Sequence, residues 1–141
     1  VLFGREGVVF SIGGEIDEYE LPVFSGLTFS SIELGMNLPE AMLPLLEDIE
    51  SIRQSSPVFF NMISEMNIVS RKGDGFDVLM YPVHFNTRVR LSERVTREQI
   101  EYAFMMVDLA KRMGISGELA EIDMRTGEPV NRYKTEGADA F

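Results

Sequence analysis

Two neighbouring stretches decide the fold: Phe85-Asn-Thr-Arg-Val-Arg-Leu91 and Thr96-Arg-Glu-Gln-Ile-Glu-Tyr-Ala-Phe-Met-Met-Val-Asp-Leu-Ala-Lys-Arg-Met-Gly114. In the first, Phe85, Thr87, Val89 and Leu91 fall on one side of an extended chain and the arginines on the other, the two-residue period of a half-buried strand. In the second, Thr96 with Gln99 forms a capping box, and Glu98 favours the positive end of the helix dipole. Gly114 ends the helix after Lys111 and Arg112. Its inner stripe is Ile100, Ala103, Phe104, Val107 and Ala110, so Met105, Met106 and Met113 are expected to flank the core or cover a flexible seam. After this helix, Leu119-Ala-Glu-Ile-Asp-Met-Arg125 alternates as another strand. Thr126-Gly-Glu-Pro129 then turns, and Val130 to Lys134 is a short final strand before a polar tail over 135–141.

Working outward toward the N-terminus, Phe76 to Tyr81 reads as a strand. It joins through the turn Arg71-Lys-Gly-Asp-Gly75 to a strand expected over Val58 to Val69. Lys72-Gly-Asp74 is therefore turn chemistry rather than an adhesion tripeptide. From Pro39 to about Gln54, Met42, Leu46, Ile49 and Ile52 recur at steps of three and four, a second amphipathic helix with Asn37 expected as its cap. Gly7 to Ile12 and Leu21 to Phe24 are short strands closed by Gly13-Gly14 and Ser25-Gly26. The fold class is α+β: a mostly antiparallel sheet with two amphipathic helices, in a single domain over 1–134.

Composition bounds the chemistry. At 141 residues, 45% hydrophobic and 26% charged, the chain has the make-up of one domain with a real core. The net charge of −10 disfavours nucleic acid, whose affinity rests on cations that release counterions. Absence of cysteine removes disulfides, thiolate metal sites and cysteine nucleophiles. The single histidine, His84, has no nameable nucleophile or orienting carboxylate beside it and reads as a surface or strand-end residue. No dinucleotide, phosphate-loop, zinc-protease or serine-hydrolase motif occurs. The longest apolar runs, such as Ala41 to Leu46, are far short of a membrane span. A start at Val1 inside an apolar stretch suggests a piece of a longer polypeptide.

Charge is uneven, with residues 1–54 at −8 and 55–141 at −2. Glu15, Asp17, Glu18 and Glu20 form an acidic run that reads as a solvated turn. It also motivates the one rival in another class, a carboxylate-based hydrolase or metal-dependent glycan-binding module. Between 71 and 97 there is a local excess of three positive charges, carried by Arg71, Lys72, Arg88, Arg90, Arg94 and Arg97. That stretch would suit an acidic partner. A closing strand commonly leaves one edge unpaired, and Arg125, Arg132, Tyr133 and Lys134 are the kinds of residue that either guard such an edge or anchor a partner on it.

The order of motifs resembles the extracytoplasmic β domain of the bacterial cell-division family FtsQ (DivIB). The motifs are Leu2-Phe-Gly-Arg-Glu-Gly-Val-Val-Phe10, Leu21-Pro-Val-Phe-Ser-Gly26, the first helix, Ile63-Ser-Glu-Met-Asn-Ile68, Val89-Arg-Leu91, and the second helix followed by Ile122-Asp-Met-Arg125. Ser92 departs from the glycine usual there. The resemblance implies a noncatalytic scaffold at septation, without a cofactor or metal. The full-length protein would be anchored by one transmembrane helix in the inner membrane and face the periplasm, with a POTRA domain upstream. The implied partners are FtsB-like (DivIC) and FtsL-like division proteins, one of which adds a strand at the C-terminal edge. Mapped here, the family's partner-facing arginine is Arg125, its last strand Val130 to Lys134 including Arg132, its edge aromatic Tyr133, and a second arginine Arg71.

Overall fold

A computed structural model describes residues 2–12, 21–29 and 31–134; the side chain of Phe10 is not described. The acidic run at Glu15 to Glu20, Gly13-Gly14 and the tail 135–141 lie outside the described residues. The architecture is α+β. A two-stranded ribbon, β1 (Leu2–Phe3) with β2 (Val9–Ser11), precedes a six-stranded sheet. The sheet contains β3 (Val23–Ser25), β4 (Ile63–Ser70), β5 (Phe76–Pro82), β6 (Arg88–Leu91), β7 (Leu119–Asp123) and β8 (Val130–Tyr133), lying side by side in that order. Helix α1 (Leu43–Ser55) and the short α2 (Pro57–Asn61) connect β3 to β4, and α3 (Arg97–Arg112) connects β6 to β7.

Those connections explain the pairing. β3 with β4 and β6 with β7 are parallel, while β4–β5, β5–β6 and β7–β8 are antiparallel. A parallel neighbour requires a long crossover, which the helices supply, whereas antiparallel neighbours need only the short links at 71–75, 83–87 and 124–129. The chain is thus a central meander, β4–β5–β6, flanked on each side by a strand reached through a helix.

Both helices bury their apolar stripes on one face of the sheet. Leu45, Ile49 and Ile52 of α1 and Ile100, Ala103, Phe104, Val107 and Ala110 of α3 share one core with Met66, Val78, Met80, Val89, Leu91 and Ile122. α3 begins as expected: Gln99 N–H donates to the Thr96 hydroxyl and the Gln99 side chain accepts from Thr96 N–H, so two of the helix's free end donors are satisfied. Gly114 follows at φ +75°, the left-handed turn that a glycine closes without strain. No helix among the described residues is long and apolar enough to cross a membrane.

Three local expectations are corrected. Val58 to Val69 is not one strand: Pro57 to Asn61 is a helical turn, and extended chain starts at Ile63. Pro57 lacks the N–H that a first helical position wastes anyway, Phe60 N–H donates to Ser56 O, and Phe59 stacks on Phe104 at 5.9 Å. Adjacent aromatics therefore turn inward at helical spacing rather than alternating. Asn37 does not cap α1, because residues 36–38 are held in extended pairing: Val9 N–H donates to Met36 O and Leu38 N–H to Gly7 O. A 3-10 turn at Glu40–Met42 leads into α1 instead. Of the strand expected over Phe85 to Leu91, only Arg88–Leu91 pairs; the segment before it turns, with exposed His84 at φ +66°.

Candidate partner-binding edge

The face of the sheet turned away from the helices carries ions. Registers Arg88↔Glu121 and Arg90↔Asp123 between β6 and β7, and Glu121↔Arg132 between β7 and β8, set arginines and acids in alternating columns. Glu121, whose side chain has no exposed surface, accepts from Arg88 Nε at 2.9 Å, from Arg90 Nε at 3.1 Å and from Arg132 Nη1. Asp123 accepts from Arg125 Nη2 at 2.7 Å and Arg132 Nη2 at 2.8 Å. Asp77 on β5 accepts from Arg125 Nη1 at 2.9 Å, and Arg90 Nη1 lies 3.4 Å away. Its other oxygen, Oδ1, is buried without a hydrogen-bond partner among the described residues, with Arg71 Nη1 at 3.8 Å.

These contacts set the protonation states. Burial pushes the Glu121 carboxyl up, but hydrogen bonds and charge from Arg90, Arg88 and Arg132 outweigh it and leave it below its usual value. Burial likewise raises Asp123, yet the side-chain and backbone hydrogen bonds from Arg125 and the charges of Arg125 and Arg132 hold it at about 2. The hydrogen bonds that Arg125 donates to the Asp123 carboxylate raise its own pKa above its ordinary range. A depressed folded-state pKa stabilises above the unfolded value and is lost as the pH falls through the folded one. Asp123 is therefore expected to contribute about 2 kcal/mol that is complete above about pH 4 and disappears toward pH 2. Denaturant titrations of the wild type and Asp123→Asn at pH 5, 4, 3 and 2 check this: the variant should lose that part of the acid slope.

The arginine excess seen in the sequence is thus neutralised internally. Arg88 and Arg90 are half-buried and paired. Arg94 grips Asp48 of α1 through two 2.8 Å bonds, reinforced by Val95 N–H donating to the same carboxylate at 2.9 Å. Arg97 pairs with Glu101. Arg71, Arg125 and Arg132 are brought together as a chain, Arg71–Asp77–Arg125–Asp123–Arg132, with Arg71 also on Glu93. Asp77, Glu121 and Asp123 are the members that sequence reasoning passed over. Their signal was the matched two-residue spacing of Arg88-Val-Arg90 with Glu121-Ile-Asp123, legible once the strands are known to be neighbours.

β8 ends the sheet: among the described residues it pairs with β7 and no strand covers its other side. Lys134 N–H donates to Glu118 O at 2.7 Å, which sets the phase of the strand. Successive amides of an extended chain point to alternate sides, so Val130 and Arg132 face β7 and Asn131 and Tyr133 present their N–H and C=O groups outward. Pro129, the preceding outward position, has no N–H. Val130 and Tyr133 are half-exposed and Lys134 is exposed. The opposite edge, β3, is three residues long and follows Pro22, a blunter edge. No protein-family model, curated protein or solved structure matches the chain.

Proposed function

We propose that this domain is a noncatalytic scaffold of the FtsQ/DivIB type, acting at septation on the extracytoplasmic side of the inner membrane. In this reading β8 receives an extended segment of an FtsB-like (DivIC) or FtsL-like partner. The observation that carries the proposal is the edge of β8 that no described strand covers, with outward amides at Asn131 and Tyr133 beside a network of paired arginines. Backbone pairing would supply affinity and alternate side chains specificity. Arg132 and Arg125, held by Asp123, would offer a preorganised positive rim to a partner carboxylate.

The test follows the phase of the strand. Tyr133→Ala is expected to weaken binding of a synthetic FtsB/DivIC-type extracytoplasmic segment by about 1–3 kcal/mol in isothermal titration calorimetry, with thermal stability unchanged. Asn131→Pro, which removes an outward donor, should reduce binding further. Arg132→Pro is the wrong probe, because the Arg132 amide faces β7 and its loss would damage the domain's own ladder. Arg125→Glu is equally unsuitable, since it sets a third carboxylate beside Asp77 and Asp123. Unchanged affinity for both Tyr133→Ala and Asn131→Pro rejects the edge as the binding site.

A further inference from the structure

The core-facing stripe of α3 has an unexpected counterpart on its outer side. Tyr102, Met105, Leu109 and Met113 recur at steps of three, four and four and are 37%, 56%, 47% and 63% exposed. They form one continuous apolar seam opposite Ile100, Ala103 and Val107. Single exposed apolar residues need no explanation, but four aligned on one helix face mark an interaction surface. The methionines that sequence reasoning set beside the core thus divide: Met106 is partly buried against it, and Met105 and Met113 stand outside.

The charges at the ends of the seam indicate what covers it. Glu98 and Arg112, both exposed, lie seven residues to either side of Met105. A two-fold axis through Met105 would turn the helix onto itself antiparallel. Tyr102 of each copy would then lie within one residue's rise, about 1.5 Å, of the level of Leu109 of the other, and each Glu98 would meet Arg112. The same arrangement opposes the helix dipoles head to tail. Arg112 bonds Asp108 of its own helix at 2.9 Å, an exposed pair that a rotamer change releases. We propose that α3 is a self-association surface, pairing antiparallel with α3 of a second copy of this chain. One helix face is smaller than the roughly 800 Å² per partner of a stable interface, so the dimer is weak, with a Kd of about 10 µM to 1 mM.

Sedimentation equilibrium on the full chain from about 10 µM to 1 mM reads this directly. The apparent mass should rise with concentration from 15.9 kDa toward twice that value. Met105→Lys should hold it at the monomer mass throughout. Glu98→Arg should weaken association by about tenfold, and adding Arg112→Glu should restore it, because the swapped charges again oppose. Circular dichroism melts of all variants confirm that the fold is retained. A wild type that stays monomeric across the range overturns the proposal, as does association insensitive to Met105→Lys. Association abolished by Asn131→Pro but not by Met105→Lys would assign the contact to the β8 edge instead, and failure of the double charge swap to restore pairing rejects the antiparallel register.

Discussion

Glu121→Ala is expected to destabilise the domain by about 3–5 kcal/mol, the cost of breaking a buried ion network by removing one partner. Three arginines converge on this carboxylate, and its side chain has no contact with solvent. Removing it takes from Arg88 and Arg90, both largely shielded, the carboxylate that they share. Arg90 keeps the longer contact to Asp77, and Arg132 keeps Asp123. Glu121→Gln retains the shape and one acceptor oxygen and should lose less. The comparison is Glu101→Ala on the surface of α3, whose partner Arg97 is half-exposed and whose loss should cost under about 1 kcal/mol. Urea unfolding midpoints at low and high salt separate the two, because a buried network is screened far less than a surface pair. Equal losses for Glu121→Ala and Glu101→Ala would mean that the lattice on the outer face is solvated rather than structural.

Gly26→Ala is the second large effect, expected at about 3 kcal/mol or more. Gly26 has φ +83°, a conformation costing an L side chain about 1–2 kcal/mol, and a β carbon there would lie 2.1 Å from the carbonyl oxygen of Ile68. That atom belongs to the backbone of β4 and cannot step aside without moving the strand. Substitution therefore has to separate the chain after β3 from β4. Gly35 supplies the control: it has φ +80° and, its chain neighbours aside, no atom of the described residues within 4 Å of its would-be β carbon, so Gly35→Ala should lose only the conformational share. Equal unfolding midpoints for the two variants would remove the close approach as the cause.

How far the chain could be read in advance varied with how local the deciding interaction is. The second helix was legible in full, because its cap, stripe and closing glycine all lie within residues 96–114 and each acts through neighbours in the chain. The strands at 76–82, 119–123 and 130–133 were legible for the same reason. The helical turn at 57–61 was not: Val58, Phe59 and Phe60 carry strand-forming side chains, yet Phe59 stacks on the Phe104 ring of a distant helix, Phe60 is buried in the core and Val58 is left exposed. Asn37 has the chemistry of a cap, but the pairing of residues 36–38 with 7–9 held its backbone elsewhere.

The candidate edge divides in the same way. That Val130 to Lys134 forms a closing strand bearing Arg132 and Tyr133 was in the sequence, as was the position of Arg125. Which amides point outward depended on a hydrogen bond between Lys134 and Glu118 across a bulged pairing, and that phase puts the useful proline test at Asn131. Residue order by itself determined the fold class, the elements whose signals are nearest-neighbour, and the absence of thiol chemistry. Only the tertiary structure decided that β6 and β7 lie side by side, that the arginines of 71–97 are spent on Asp48, Asp77, Glu93, Glu101 and Glu121, and that α3 has a second apolar face turned to solvent. The physical reason is that ion pairing and burial depend on distances between residues far apart in the chain, and those distances exist only once a crossover helix has brought the strands together.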